Sequence, residues 1–263
     1  MLGVERMSKA IRLSRLFNGQ TGNTVLLPVD HGILGEVQGL EDPIEVLERL
    51  IPLGVDGVLM NNGIRLRSES LFYGRLAPSR ILSSDTFYLE EGAMHHDLIA
   101  MPETALQAGC DCVKVLLFWN RPGSENMHNI RMISELVKEA ERCQIPVMIE
   151  PLLYDPVPDA KTKIKALTDA TRIAYELGAD ILKVVHPGEH EVLKQWVGKF
   201  KVPLVMLGGG LNGGVDDLIR LVDQAVKAGV RGVAIGRNVW QRPKEESERV
   251  MRMFTEVVHG RIS

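Results

Sequence analysis

No stretch of this chain stays apolar long enough to cross a bilayer, and no run of Lys and Arg interleaves with aromatics. The first absence argues against a helical membrane span. The second, with a formal net charge of -3, leaves nothing to grip nucleic acid. Cysteine is scarce: Cys110, Cys112 and Cys143 are all there are. An odd count without secretory features points to reduced thiols and a cytoplasmic protein. Cys110-x-Cys112 opens an apolar strand and has no second ligand pair, so it reads as packing. The N-terminal "MLGVERMSKAIRLSRLFNGQTG" is basic and amphipathic without the apolar core of a signal peptide. It reads as a helix capping the fold. No Gly-x-Gly-x-x-Gly turn follows the first strand, which weighs against a doubly wound dinucleotide fold.

A repeat is present. "LGVDGVLM" from Leu53, "AGCDCVKV" from Ala108, "LGADILKV" from Leu177 and "AGVRGVAI" from Ala228 each place a helix-ending Gly before a short apolar run. Between them lie "TVLLPVDHG", "RILSSDTF", "IPVMIEPL" and "VPLVMLGGG", making eight short strands. Amphipathic stretches such as "NIRMISELVKEAERC" and "DDLIRLVDQAVKAG" separate most of them. Strand and helix in alternation imply parallel strands with right-handed crossovers. Eight units in 263 residues without a linker predict one domain over 1–263, a single (β/α)8 barrel with an N-terminal capping helix.

Barrel active sites sit at the C-terminal strand ends, and residues two apart share a strand face. Leu26, Pro28 and Asp30 share one face of strand 1. The matching sets are Cys112, Lys114 and Leu116 in strand 4, Met148, Glu150 and Leu152 in strand 5, and Ile181, Lys183 and Val185 in strand 6. If these faces point inward, two lysines and two carboxylates meet inside one barrel. A structural ion-pair network is the bland alternative, but a buried pair is a poor source of stability. A lysine in a dry site beside another cation can instead be a neutral amine that attacks a carbonyl to form a Schiff base. A nearby carboxylate then moves the proton. Lys114 and the apolar Ile181 and Val185 oppose protonation of Lys183, while Asp30 and Glu150 favour it.

"LGGGLNGG" follows strand 7 and "IGRNVWQ" follows strand 8, where barrels frequently bind phosphate. Gly208, Gly209, Gly210 and Gly236 let backbone N–H groups approach an anion, and Arg237 adds a charge. Arg65, Arg67 and Arg121 lie in other loops, as candidates for a second phosphate or as solvated side chains.

"LLPVDHG", "ADILKVVHPG", "LGGG" and "IGRNVWQ" together resemble the class I aldolases of the archaeal fructose-bisphosphate and tagatose-bisphosphate type, from strand 1 to the C-terminal helix. That resemblance implies Lys183 as the Schiff-base lysine, with Asp30 beside the imine. "VMIEPLLYD" looks more like the tagatose-bisphosphate branch, which implies Glu150 as acid/base in place of a strand-5 tyrosine and leaves Tyr154 as the fallback. Lys114 resembles that branch's second lysine. The resemblance further implies a phosphorylated ketose as substrate, no cofactor, and a homo-oligomer.

Three other readings compete. The resemblance also takes in relatives that perform transaldol-type or acyl-transfer reactions on the same scaffold, so an enzyme of that kind using the same lysine is one. A metal-dependent lyase would draw ligands from His31, His95, His96, His186 and His190. Against it, His31 should alternate outward if Asp30 points in, and the pair at 95–96 is expected to begin a helical stretch; each reads as a satisfied surface or loop histidine. A non-catalytic sugar-phosphate sensor would need the glycine loops but not Asp30, Lys114, Glu150 and Lys183 together.

Overall fold

Four glycines set the entry into four of the barrel strands. Gly54, Gly109, Gly178 and Gly229 all take the left-handed conformation, with φ between 65° and 102°. Each ends a helical segment and turns the chain into a strand, as the repeat predicts. The computed structural model describes residues 7–209 and 214–260.

Eight parallel strands close into a barrel. They are β1 (Thr24–Pro28), β2 (Gly57–Met60), β3 (Ser79–Ser83), β6 (Cys112–Trp119), β7 (Val147–Leu153), β8 (Ile181–Val184), β9 (Leu204–Leu207) and β10 (Gly232–Ala234). β10 pairs back onto β1, with Thr24 opposite Gly232. Crossover helices include α2 (Pro43–Leu50), α5 (Gly123–Cys143), α6 (Ala160–Glu176), α7 (His190–Lys199) and α8 (Val215–Lys227); α10 (Lys244–His259) closes the described chain. Between β3 and β6 come two strands outside the barrel, β4 (Asp85–Glu90) and β5 (Ala93–Leu98), paired as an antiparallel hairpin.

The hydrophobic core divides as a barrel requires. Val25, Leu27, Val58, Val113, Ile149 and Leu182 face the helices in the outer cluster. Leu26, Leu59, Ile81, Cys112, Met148, Ile181, Val205 and Ala234, one from each strand, fill the interior. The helix α1 (Met7–Arg15) and the residues after it seal the lower end, with Leu13, Leu16 and Phe17 packed on that interior layer. Each cysteine is a free, buried thiol, and burial pushes Cys110 up to about 11. Cys112 is simply one member of the inner layer.

Two expectations are corrected. His95 and His96 lie in β5, not in a helix. The segment "RILSSDTF" is not one strand: the barrel strand stops at Ser83, and Asp85 begins the hairpin. The hairpin turns at Glu91 and Gly92, both at positive φ (50° and 84°), the geometry of a two-residue turn whose twist matches the strands.

Candidate active site

One step further along each strand, the inward positions change character. Above Ile81 comes Ser83, above Cys112 Lys114, above Met148 Glu150 and above Ile181 Lys183. All four are buried. Regular strand pairing aligns them: Ile81 opposes Cys112, and Met148 opposes Ile181. The barrel thus presents an ionisable layer on an apolar floor.

Lys183 Nζ donates to Glu150 Oε2 at 2.8 Å. Lys114 Nζ lies 3.6 Å from the same oxygen, 3.7 Å from Asp30 Oδ2 and 3.7 Å from Asp85 Oδ1. Asp30 also accepts from the Ser83 hydroxyl at 2.8 Å, and His31 Nδ1 stands 3.4 Å from its other oxygen. Burial alone would push Lys114 down, yet the charges of Asp85, Glu150 and Asp30 outweigh it and hold the ammonium protonated. Burial would raise the Asp30 carboxyl; the His31 ring beside it and the ammonium groups of Lys114 and Lys183 hold it far below the usual range instead. Asp85 is depressed in the same way, by Lys114, His96 and the Leu116 N–H against burial.

The structure thus brings Asp30, Lys114, Glu150 and Lys183 together, and adds Asp85 and Ser83. Asp30 arrives by an unexpected route. β1 ends at Pro28, and Asp30 lies in the 3-10 turn Asp30–Leu34 that follows. Val185 departs from its expected place: it lies beyond β8 and packs on the outer core, while Ile181 remains in the inner layer below the lysine. Tyr154 is 40% exposed at the rim, where its ring packs edge-on to Phe118 at 5.8 Å and under the Arg121 guanidinium.

At the other side of the mouth, Gly208 and Gly209 follow β9, and Gly209 is left-handed at φ 69° with open space around it. Gly210 lies outside the described residues. Gly236 sits between the Pro28 carbonyl and Trp240, too close for a side chain to enter without displacement. Asn238 Nδ2 donates to the carbonyls of Gly208 (2.9 Å) and Gly209 (3.1 Å), tying the two glycine loops together. Arg237 between them is exposed. Arg121 is held by Glu125, Asp155 and the Gly92 carbonyl, and Arg65 by Asn62 and Glu69. Arg67 lines a cavity of about 510 Å³ that also touches Asn61, whose amide donates to the Asp30 carbonyl at 2.6 Å.

The histidines are dispersed. His31 packs against Trp240, His95 stacks on Tyr88, and His186 accepts from the Gly188 N–H. His96 is not a surface residue: it is 3% exposed and hydrogen-bonded to Asp85 and Asn129. Among the described residues, no three His, Cys, Asp or Glu side chains converge as they do on a metal.

The closed parallel barrel and its family match make this a lyase of the aldolase type. The chain belongs to the DeoC/LacD family of aldolases, whose sequence model matches residues 24–242. It is 30% identical over 259 residues to an uncharacterized aldolase of Saccharolobus solfataricus, covering 95% of this chain and 93% of that protein. It is 29% identical over 255 residues to 2-amino-3,7-dideoxy-D-threo-hept-6-ulosonate synthase 1 of Archaeoglobus fulgidus, covering 97% and 92%. Among solved structures, a Schiff-base-forming fructose-1,6-bisphosphate aldolase superposes with a TM-score of 0.77 at 25% identity, covering 95% of this chain and 99% of that one.

Proposed function

We propose that the protein is a class I aldolase that makes or breaks a C–C bond of a phosphorylated ketose through an imine on Lys183. The observation that carries this reading is the Lys183–Glu150 contact of 2.8 Å, buried above an apolar floor towards the C-terminal ends of the strands. Glu150 takes a proton from the Lys183 ammonium, and the free amine adds to the ketone carbon. Glu150 gives its proton to the carbinolamine oxygen, which leaves as water and yields a protonated imine. Glu150, ionised again, then removes the proton of the hydroxyl carried by the far carbon of the bond to be broken. That C–C bond breaks, its electron pair passes into the iminium to give an enamine, and an aldehyde departs. Protonation of the enamine and hydrolysis return the ketone and Lys183.

Asp30, fixed by Ser83, orients the carbinolamine. Lys114 supports both carboxylates as a cation that keeps its proton. The backbone N–H groups of Gly209 and Gly236, with Arg237, form the phosphate end, while the Gly208 N–H is held by the Ala234 carbonyl at 2.9 Å. Similarity to a hept-6-ulosonate synthase leaves two chemistries for the same lysine, cleavage of a ketose phosphate and transfer of its fragment to another aldehyde.

The test is sodium borohydride reduction with a panel of ketose phosphates, read by intact mass and peptide mapping. The adduct should map to Lys183, and Lys183→Ala should abolish both labelling and turnover while staying folded. An adduct on Lys114, or turnover without any adduct, overturns the assignment.

A further inference from the structure

Two backbone donors near the upper end of β6 point away from β7, to the side where the pairing with β3 has ended. β3 makes its last pairing at Ser83 with Lys114, while β6 runs on to Trp119. The Leu116 N–H is taken by Asp85 Oδ2 at 2.8 Å, and the Phe118 N–H by Asn129 Oδ1 at 3.2 Å. His96 bridges those two acceptors, with Nε2 2.7 Å from Asp85 Oδ2 and Nδ1 2.9 Å from Asn129 Oδ1.

The partners fix where the protons are. Asn129 Oδ1 receives the Phe118 N–H, and Asn129 Nδ2 donates to the Glu125 carbonyl at 2.9 Å, so the amide has one orientation. Nδ1 of His96 must therefore carry a proton. With a proton on Nδ1 alone, the ring would aim the Nε2 lone pair at an ionised carboxylate oxygen 2.7 Å away. That contact is attractive only if Nε2 is protonated as well. Among the described residues the other oxygen of Asp85 has no hydrogen bond, and it faces Lys114 Nζ at 3.7 Å.

We propose that His96 is a positioning residue for the imine chemistry: a doubly protonated ring that holds Asp85 against Lys114 and balances its charge. The inference rests on the Schiff-base reading above. With His96, Lys114 and Lys183 cationic, three positive charges face the three negative ones of Asp30, Asp85 and Glu150. Passing the Lys183 proton to Glu150 removes one charge of each sign. Lys114 and His96 then still offset Asp30 and Asp85. Without the His96 charge, Asp85 draws on Lys114 alone, and the site becomes more negative around Lys183. A more negative site holds an ammonium proton to higher pH.

The other groups around the ring do not supply that charge. From α5, Asn129 is neutral and His128 binds the His96 backbone carbonyl rather than its ring. From β6, Phe118 presents an edge at 5.0 Å. His95 and Asp97 lie on the exposed face of β5. Edge satisfaction alone would be served by Asp85 and Asn129 without an ionised ring between them.

The test compares the parent, His96→Gln and Met94→Ala; the last loosens the same hairpin without changing charge. In His96→Gln, kcat should fall at least about 5-fold with KM for the ketose phosphate held within about 2-fold. The pH at which borohydride labelling of Lys183 is half-maximal should move up by about half a unit or more. Met94→Ala should lower the melting temperature and leave that midpoint in place. Nitrogen-15 spectra of the folded parent at neutral pH should show both His96 ring nitrogens protonated, a measurement that needs no variant to fold. A lone-pair Nε2 in those spectra, or an unmoved midpoint in folded His96→Gln, overturns the inference and leaves the aldolase reading intact. No labelling of Lys183 in the parent overturns both.

Discussion

Both lysines of the site meet one oxygen, Glu150 Oε2, at 2.8 Å from Lys183 and 3.6 Å from Lys114. That oxygen can take a proton from one lysine while the other keeps its own, which separates nucleophile from electrostatic support by geometry. Glu150→Gln retains the shape and removes the basic oxygen. It should lower kcat by about 10²–10⁴-fold, the range usual for general acid–base catalysis, while the borohydride adduct on Lys183 still forms, more slowly because solvent must then free the amine. Tyr154→Phe is the counter-test, since Tyr154 sits at the rim in an aromatic cluster. If it produces the larger loss and Glu150→Gln does not, the proton carrier is the tyrosine. Lys114, Glu150 and Lys183 were legible in the sequence because β6, β7 and β8 are regular there and alternate with period two. Val185 was misplaced because the same alternation was carried past the end of β8, where the backbone no longer follows it. Asp30 also lies past its strand, and reaches the site from a 3-10 turn that no periodicity describes.

At the scale of elements, the parts that were readable are those with a strong pattern. The glycine before each repeat strand and the long amphipathic faces of α5, α6 and α8 define the barrel. The β4–β5 hairpin was missed. Its buried side is short, Met94 and His96 on β5, and a histidine there reads as polar surface. The signal that could have found it is Glu91-Gly92 between two alternating runs, a two-residue hairpin turn. The hairpin matters because it supplies Asp85 and His96, and because Met94 and Phe87 pack on Leu116 and Phe118 above the lysine layer. At the opposite end, the N-terminal helix is a plug. Leu16, fully buried after α1, completes the floor made by Leu26, Ile81, Met148 and Ile181. Leu16→Ala should cost about 2–5 kcal/mol of stability, as for other buried leucines. The ionisable layer stands on the far side of that floor, so chemical denaturation should detect the loss while the Lys183 adduct still forms. A variant as stable as the parent would mean that the plug contributes little packing.

Across the whole molecule, charges fall into two populations with different sensitivities. Exposed helix pairs such as Lys165–Asp169 and Lys227–Asp223 are each worth at most about 1 kcal/mol and are screened by salt. The barrel layer is buried, and its carboxylates Asp30 and Asp85 hold their charge more strongly in the fold than in the unfolded chain. The sign follows from that depression. Above the unfolded aspartate value, about 3.9, neither state takes up a proton at these residues and their contribution to stability is fully present. As the pH falls below it, the unfolded chain binds protons that the fold refuses, so stability drops until the folded carboxylates titrate in turn. Melting temperature should therefore fall steeply as the pH is lowered from about 5 towards 2, and the slope should persist in high salt because screening reaches buried pairs poorly. Asp30→Asn removes one of these two depressed carboxylates and should flatten that slope, whatever it does to stability at neutral pH. An acid slope that vanishes in high salt, or one unchanged in Asp30→Asn, would place the acid sensitivity on the surface pairs and not in the barrel.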